Sequence, residues 1–252
     1  MIISHKHEFI FIAAGKTGTY SIENELANYN DSRHINVIDS EYGKIGNFIK
    51  DEICGLYDPR KKIRVNISGP ATLPLDDFLN LKEMTYVWGG TKHVPPLLIK
   101  GTVNIDEFFK FAFVRNPWDW VKCQFFHCFP EEEKEVLTEN DIFSVRRFLA
   151  DYTRGIQTDT KYQYAFLSST DDGKGPLLVD FVGKFERLQK DLDIACDKIG
   201  IPRCILPHRN KGIDSGRKKH YSQFYTDKTR DLVRKLYKKD IEYFEYEFED
   251  KR

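Results

Sequence analysis

Two short segments of this sequence carry residues suited to gripping an anion. In the first, Gly15-Lys16-Thr17-Gly18-Thr19 is followed by Tyr20 and Ser21. Small residues let backbone N–H groups approach an oxyanion closely, and a Lys adds a full positive charge. The hydroxyls of Thr17, Thr19 and Ser21 can donate further hydrogen bonds. In the second segment, Arg115 precedes Asn116 and Pro117. Its guanidinium fork suits a phosphate monoester. Taken singly, each segment also fits a plain turn with a surface cation.

The elements around them decide whether they can act. Phe9-Ile10-Phe11-Ile12-Ala13 is a continuous apolar run that predicts a parallel strand buried on both faces, and it enters the first loop directly. Ile22, Leu26 and Tyr29 then keep helical spacing, so the N-terminal end of a helix points its dipole at the same loop. Phe111-Ala112-Phe113-Val114 predicts a second buried strand ending at Arg115, with a helix over 118–126. Arg115 therefore sits at the carboxyl edge of the sheet, where open α/β folds bind ligands. A third short strand is expected near Val179 to Gly183, followed by a helix with Leu188, Leu192, Ala195 and Ile199 on one face. Short strands are expected at 64–68 and 85–88. Thr226 is a candidate N-cap for a last helical stripe running from Leu232 to Phe244. Strands alternating with helices predict an α/β fold with a mainly parallel central sheet flanked by helices.

Two rival chemistries compete for the first loop. Gly15-Lys16-Thr17 matches the end of a nucleoside-triphosphate P-loop, but the Gly that opens such a loop is replaced by Ile10, inside the strand. A kinase of that type would use Asp180, after Leu177-Leu178-Val179, as a metal-binding strand end. A non-catalytic nucleotide-binding protein of the same fold is the other alternative, and Trp120 and Cys123 favour it.

With both segments in view, the sequence resembles the sulfotransferase family, especially the branch of carbohydrate sulfotransferases and their bacterial relatives. The family's 5′-phosphosulfate loop after its first strand is matched by residues 9–19, and its 3′-phosphate segment by Arg115, Asn116 and Pro117. Two later positions depart: Trp120 stands where the family has Arg, and Cys123 where it has Ser, and a thiol is a weak donor. The run 179–188 is similar to the family's later strand and helix, 206–212 to the loop closing over the nucleotide, and 220–248 to its last helix and tail. The resemblance implies one P-loop-like sulfotransferase domain over residues 1–252, with core motifs at 9–29, 85–126 and 177–248.

It also implies a reaction. The sulfuryl group of 3′-phosphoadenosine 5′-phosphosulfate passes in line to an acceptor hydroxyl on a carbohydrate or another hydroxyl compound, and adenosine 3′,5′-bisphosphate leaves. Gly15, Lys16, Thr17, Gly18, Thr19, Tyr20 and Ser21 are expected at the 5′ end of the nucleotide. Arg115, Cys123, Lys211, Gly212 and Arg217 are expected around the rest of it. Lys16 and His93 are the expected catalytic pair, His93 as the base, because an imidazole titrates near neutral pH. His127 and His208 are the next candidates among the seven histidines. No metal is expected, since side-chain cations and N–H groups do the neutralising. Residues 31–90 and 127–178 are expected to select the acceptor.

Composition bounds the remaining classes. Lys plus Arg total 39 and Asp plus Glu also 39, so the formal net charge of zero disfavours nucleic acid or a membrane surface as partner. The five cysteines include no CxxC pair and are expected as reduced thiols. No run approaches the roughly 18–20 apolar residues of a membrane span, and the polar residues 1–8 feed straight into a five-residue apolar run, Phe9 to Ala13, too short for a signal-peptide core. These features lead to the expectation of a cytoplasmic chain.

Overall fold

A computed structural model describes residues 2–29, 35–36, 66–67, 96, 105–128, 136–144, 163–170, 173–206 and 219–252. Its centre is a four-stranded mixed sheet in the order β1-β2-β5-β6. Strand β2 (Phe9–Ile12) lies parallel to β5 (Phe109–Val114), which lies parallel to β6 (Phe181–Lys184), while β1 (Ile2–Ser4) closes the edge antiparallel to β2. Phe11 faces Phe111, and Phe111 in turn faces Phe181, so the carboxyl ends of the three parallel strands finish along one edge. A separate two-stranded pair joins β3 (Ile35–Asn36) to β4 (Asn66–Ile67).

Alternation along β2 and along Phe111–Val114 of β5 explains their unbroken apolar sequences. Phe9, Phe11, Phe111 and Phe113 enter one core together with Ile22 and Leu26 of helix α1 (Thr19–Leu26) and Leu192 and Ala195 of the helix that follows β6. Ile10, Ile12, Ala112 and Val114 enter the opposite core against Tyr164, Phe166 and Phe244. Both faces are covered, so neither strand can afford a polar register.

Helix α2 (Pro117–Cys128) follows β5. Asn116 starts it as a helix-capping residue should: its Oδ1 accepts the Trp118 N–H at 3.1 Å, and Pro117 occupies the first helical position. The short helix α3 (Gln163–Leu167), then α4 (Leu188–Ile199) after β6, and α5 (Asp227–Leu236) and α6 (Lys238–Tyr243) complete the described helices used below. Trp118 and Trp120 of α2 pack with Tyr221, Tyr225, Val233 and Tyr237 in a third core.

Three details differ from the sequence expectation. Strand β1 is too short for any periodic signal. The third strand begins at Phe181 rather than Val179. The C-terminal stripe is two helices, broken at Tyr237 (φ −109°, ψ 25°), a turn that still donates to the Val233 carbonyl. Thr226 does cap α5, with a reciprocal bond to Thr229. The strand expected at 85–88 lies outside the described residues, and of 64–68 only 66–67 lie within them. No helix among the described residues is long and apolar enough to cross a membrane.

Gly183 fixes how closely α4 sits on the sheet. A Cβ there would lie 2.4 Å from Phe113 Cε1 and 3.0 Å from Asp191 Cβ. Gly183→Ala should therefore lower unfolding stability by about 1–3 kcal/mol through overpacking, read as a lower denaturant midpoint. An unchanged midpoint would contradict this packing.

Candidate anion-binding site

The first loop leaves the carboxyl end of β2 and turns sharply, with the Ala14 N–H bonded back to the Ile12 carbonyl at 3.1 Å. Lys16 (φ 63°) and Gly18 (φ 79°) both take the left-handed backbone conformation on either side of Thr17. For Lys16 that conformation costs about 1–2 kcal/mol. For Gly18 it is free, and a Cβ there would also meet Leu188 Cδ2 at 2.6 Å.

What holds the strained turn is a set of bonds to its carbonyls. Thr17 Oγ1 donates to the Ala14 carbonyl at 2.9 Å. Trp120 Nε1 donates to the Gly15 carbonyl at 2.9 Å. Arg115 Nη1 donates to the Lys16 carbonyl at 3.1 Å. A trans peptide points its N–H opposite to its C=O, and no peptide bond among the described residues is cis. Fastening these three consecutive carbonyls therefore turns the N–H groups of Gly15, Lys16 and Thr17 the other way. Helix α1 follows at once, with Gly18 as N-cap and no side chain capping its first N–H groups. Backbone N–H groups, a helix N-terminus and the Lys16 ammonium on one turn make an arrangement that can take an oxyanion.

Arg115 stands at the end of β5, beside that loop. Its Nε and Nη2 hold Asp119 Oδ2 at 2.8 and 2.7 Å, and the guanidinium lies over the Phe185 ring, 4.1 Å from its centroid. A guanidinium has more N–H bonds than these contacts use, which leaves both Nη atoms able to donate to a ligand. The Lys16 loop and Arg115 are thus side by side at one sheet edge, joined by a direct hydrogen bond.

Residues far away in sequence set the Arg115 backbone. Gln163 Oε1 accepts the Arg115 N–H and its Nε2 donates to the Arg115 carbonyl, both at 2.7 Å. Asp240, fully buried, in turn accepts the N–H groups of Gln163 and Tyr164 at 2.9 and 2.8 Å. Burial pushes its carboxyl up to about 6, against those same hydrogen bonds, which pull it down. Next along, Glu186 Oε1 accepts the Asn116 N–H and its Oε2 accepts the Tyr246 hydroxyl at 3.1 Å, while Asn116 Nδ2 donates to the Glu247 carbonyl. Burial and the Glu186 carboxylate raise the Tyr246 pKa strongly, which keeps its proton on that bond. Gln163 stands outside every motif of the sequence, and Glu186 and Asp240 enter only within the runs 179–188 and 220–248, with no role of their own.

Among the other residues singled out from sequence, Gly15 and Lys16 are half-buried in the loop, as are Gly18 and Ser21, while Thr19 is buried and Tyr20 exposed. Thr17 is buried and spends its hydroxyl proton on Ala14, so it offers the site its N–H rather than that proton. Cys123 is a half-buried free thiol on α2. Trp120 has a structural task in place of a ligand's, carrying the Gly15 bond. Asp180 is a correction to the kinase alternative: it lies at the amino end of β6, where it accepts the Lys110 N–H at 2.7 Å and pairs with Lys110 Nζ at 2.9 Å, away from the Lys16 loop. His93, Lys211, Gly212, Arg217 and His208 lie outside the described residues, as does the side chain of His127. Among the described residues no group of three or more His, Cys, Asp or Glu could hold a metal ion.

Residues 174–247 match the model of the Sulfotransferase family, which supports assigning the chain to that family. The matched stretch contains β6, Glu186, α4, α5 and Asp240, and it ends short of the tail residues after Glu247; Lys16 and Arg115 lie before it. No curated protein and no solved structure gives a significant match.

The elevated Asp240 pKa carries a signed consequence. A carboxyl whose folded pKa lies above its unfolded value takes up protons on folding between the two values, so its contribution to stability falls as pH rises from about 4 to about 6. The full effect corresponds to about 3 kcal/mol. Wild type minus Asp240→Asn, compared by denaturant unfolding across that range, should show this decline and level off above it. A flat or rising difference would contradict the burial assigned to Asp240.

Proposed function

We propose that this chain, assigned to the sulfotransferase family through residues 174–247, moves the sulfuryl group of 3′-phosphoadenosine 5′-phosphosulfate to a hydroxyl of a carbohydrate acceptor. The observation that carries the reading is the 3.1 Å bond from Arg115 Nη1 to the Lys16 carbonyl, which couples two cationic elements at adjacent strand ends. A nucleotide with phosphate groups on both its 3′ and 5′ positions needs two such elements a ribose apart. The turned N–H groups of Gly15, Lys16 and Thr17, with the start of α1, fit the 5′ end. Arg115 fits the 3′ end, braced by Asp119 and stacked on Phe185.

Each residue then has a task in the displacement. The acceptor oxygen forms a bond to sulfur as the bond from sulfur to the 5′-phosphate oxygen breaks, and that oxygen leaves with the electron pair. Lys16 and the loop N–H groups stabilise the charge gathering on it. Arg115 keeps the nucleotide in register so that attack is in line. The acceptor proton passes to a base, a role we assign to His93 on the strength of the family resemblance. Lys211, Gly212 and Arg217 complete the nucleotide site in this reading. Carbohydrate is the acceptor class favoured by the resemblance to the carbohydrate branch.

Transfer of radiosulfur from the labelled donor to a panel of glycans, phenols and small alcohols tests the reading, with label expected on glycans. His93→Ala should lower turnover by about 10²–10⁴-fold with nucleotide binding nearly unchanged. Lys16→Ala should lower it by about 10²–10³-fold and weaken binding as well. Absence of label on every acceptor, together with Mg-ATP binding by calorimetry, would overturn the sulfotransferase reading. Normal turnover in His93→Ala would remove that residue alone.

A further inference from the structure

Helix α2 carries a second cation next to Arg115, at a position outside both anion-binding segments. The side chain of Lys122 is 10% exposed, and its Nζ lies 3.9 Å from Asp119 Oδ1. The same Nζ donates to the Lys219 carbonyl at 3.0 Å and stands 5.3 Å from the centroid of the Phe224 ring. The other Asp119 oxygen, Oδ2, is the one that holds Arg115. Arg115, just after β5, and Lys122, on α2, thus share a single carboxylate, and the three groups together keep one net positive charge. Burial lowers the Lys122 pKa, an effect that Asp119 opposes and the Arg115 charge reinforces. A second negative charge arriving at Arg115 would offset the repulsion that Lys122 feels from the Arg115 guanidinium. The neighbouring positions do not meet this need themselves: Cys123 offers a weak donor, and the Trp120 indole is committed to Gly15.

We propose that Lys122 is the second cation of the Arg115 site and makes that site selective for a phosphate dianion, an inference that rests on the reading of this chain as a binder of adenosine 3′,5′-bisphosphate and its sulfated form. Charge from Lys122 then does what a hydroxyl donor at position 123 would otherwise do. Lys122 is a specificity-determining residue in this account, remote from the sulfur being transferred. Its bond to Lys219 offers a rival role, fastening the chain there, and the two roles predict different measurements.

Calorimetry on the full chain with adenosine 3′,5′-bisphosphate and adenosine 5′-monophosphate separates them. Lys122→Met should weaken the bisphosphate by about tenfold or more, as for loss of a charged partner, and change the monophosphate less than about threefold. Lys122→Arg should keep most of the preference. Equal weakening of both nucleotides would assign Lys122 to fastening alone, and no weakening would give it no role; either overturns the proposal. Wild type supplies a test that needs no variant. Its preference for the bisphosphate should shrink as pH falls from about 7.5 to about 5.5, because a phosphate monoester becomes a monoanion below its second pKa of about 6. A constant preference would overturn dianion selectivity. Wild type that binds both nucleotides equally would defeat this inference but leave nucleotide binding standing. Wild type that binds neither would defeat the proposed function as well.

Discussion

The molecule depends on how one tight turn is held with its carbonyls drawn into the protein. Lys16 sits in a backbone conformation that an L-residue avoids, so the turn persists only because its surroundings over-determine it. Two of the three restraining bonds come from a single stretch, Arg115 at the end of β5 and Trp120 on the first turns of α2. The third is internal, from Thr17. The same bonds that fix the turn orient its N–H groups, so building the anion site and stabilising the loop are one event. Arg115 accordingly works twice: as a brace for the first loop and as a charge beside it.

The rest of the fold keeps that stretch in place. Parallel pairing of β2 with β5 brings the two strand ends level, and the covered faces of both strands prevent slippage, since a shift of one residue would exchange their two buried sets. Asp240 and Gln163 fix the Arg115 peptide from one side. Glu186, the Tyr246 hydroxyl and the Glu247 carbonyl fix Asn116 from the other. The segment that matches the sulfotransferase family thus supplies Glu186, Asp240, Tyr246 and Glu247 to this clamp, while Gln163, Arg115 and Lys16 lie before it.

Much of this was legible from local sequence. The apolar runs that became β2 and β5 had to be doubly covered strands, and both cationic segments sit at their ends. The helix expected over 118–126 begins at Pro117 with Asn116 as its cap, since a side-chain acceptor and a fixed φ are local properties. What escaped was non-local. Gln163 meets Arg115 across a separation of 48 residues, Glu186 meets Asn116 across 70, and Asp240 meets Gln163 across 77. No pattern within a window encodes such partners. Trp120 was visible only as a departure from a family position, because an indole N–H gives no sign in sequence of the carbonyl it will find. Lys122 carries no local signal, since its place beside Arg115 depends on the carboxylate of Asp119 that both cations approach in the folded chain. Asp180 misled in the opposite sense: the strand it seemed to end begins just after it.

The central claim is that the N–H groups of the Gly15–Thr17 turn form the anion-binding surface and that Arg115 belongs to the same site. Titrating the amide-labelled chain with adenosine 3′,5′-bisphosphate, with adenosine as the control, tests it directly by nuclear magnetic resonance. The account predicts that the amides of Gly15, Lys16 and Thr17 and the side-chain N–H signals of Arg115 shift together along one saturating curve that adenosine does not reproduce. Saturable binding that leaves those signals in place while moving others would contradict it.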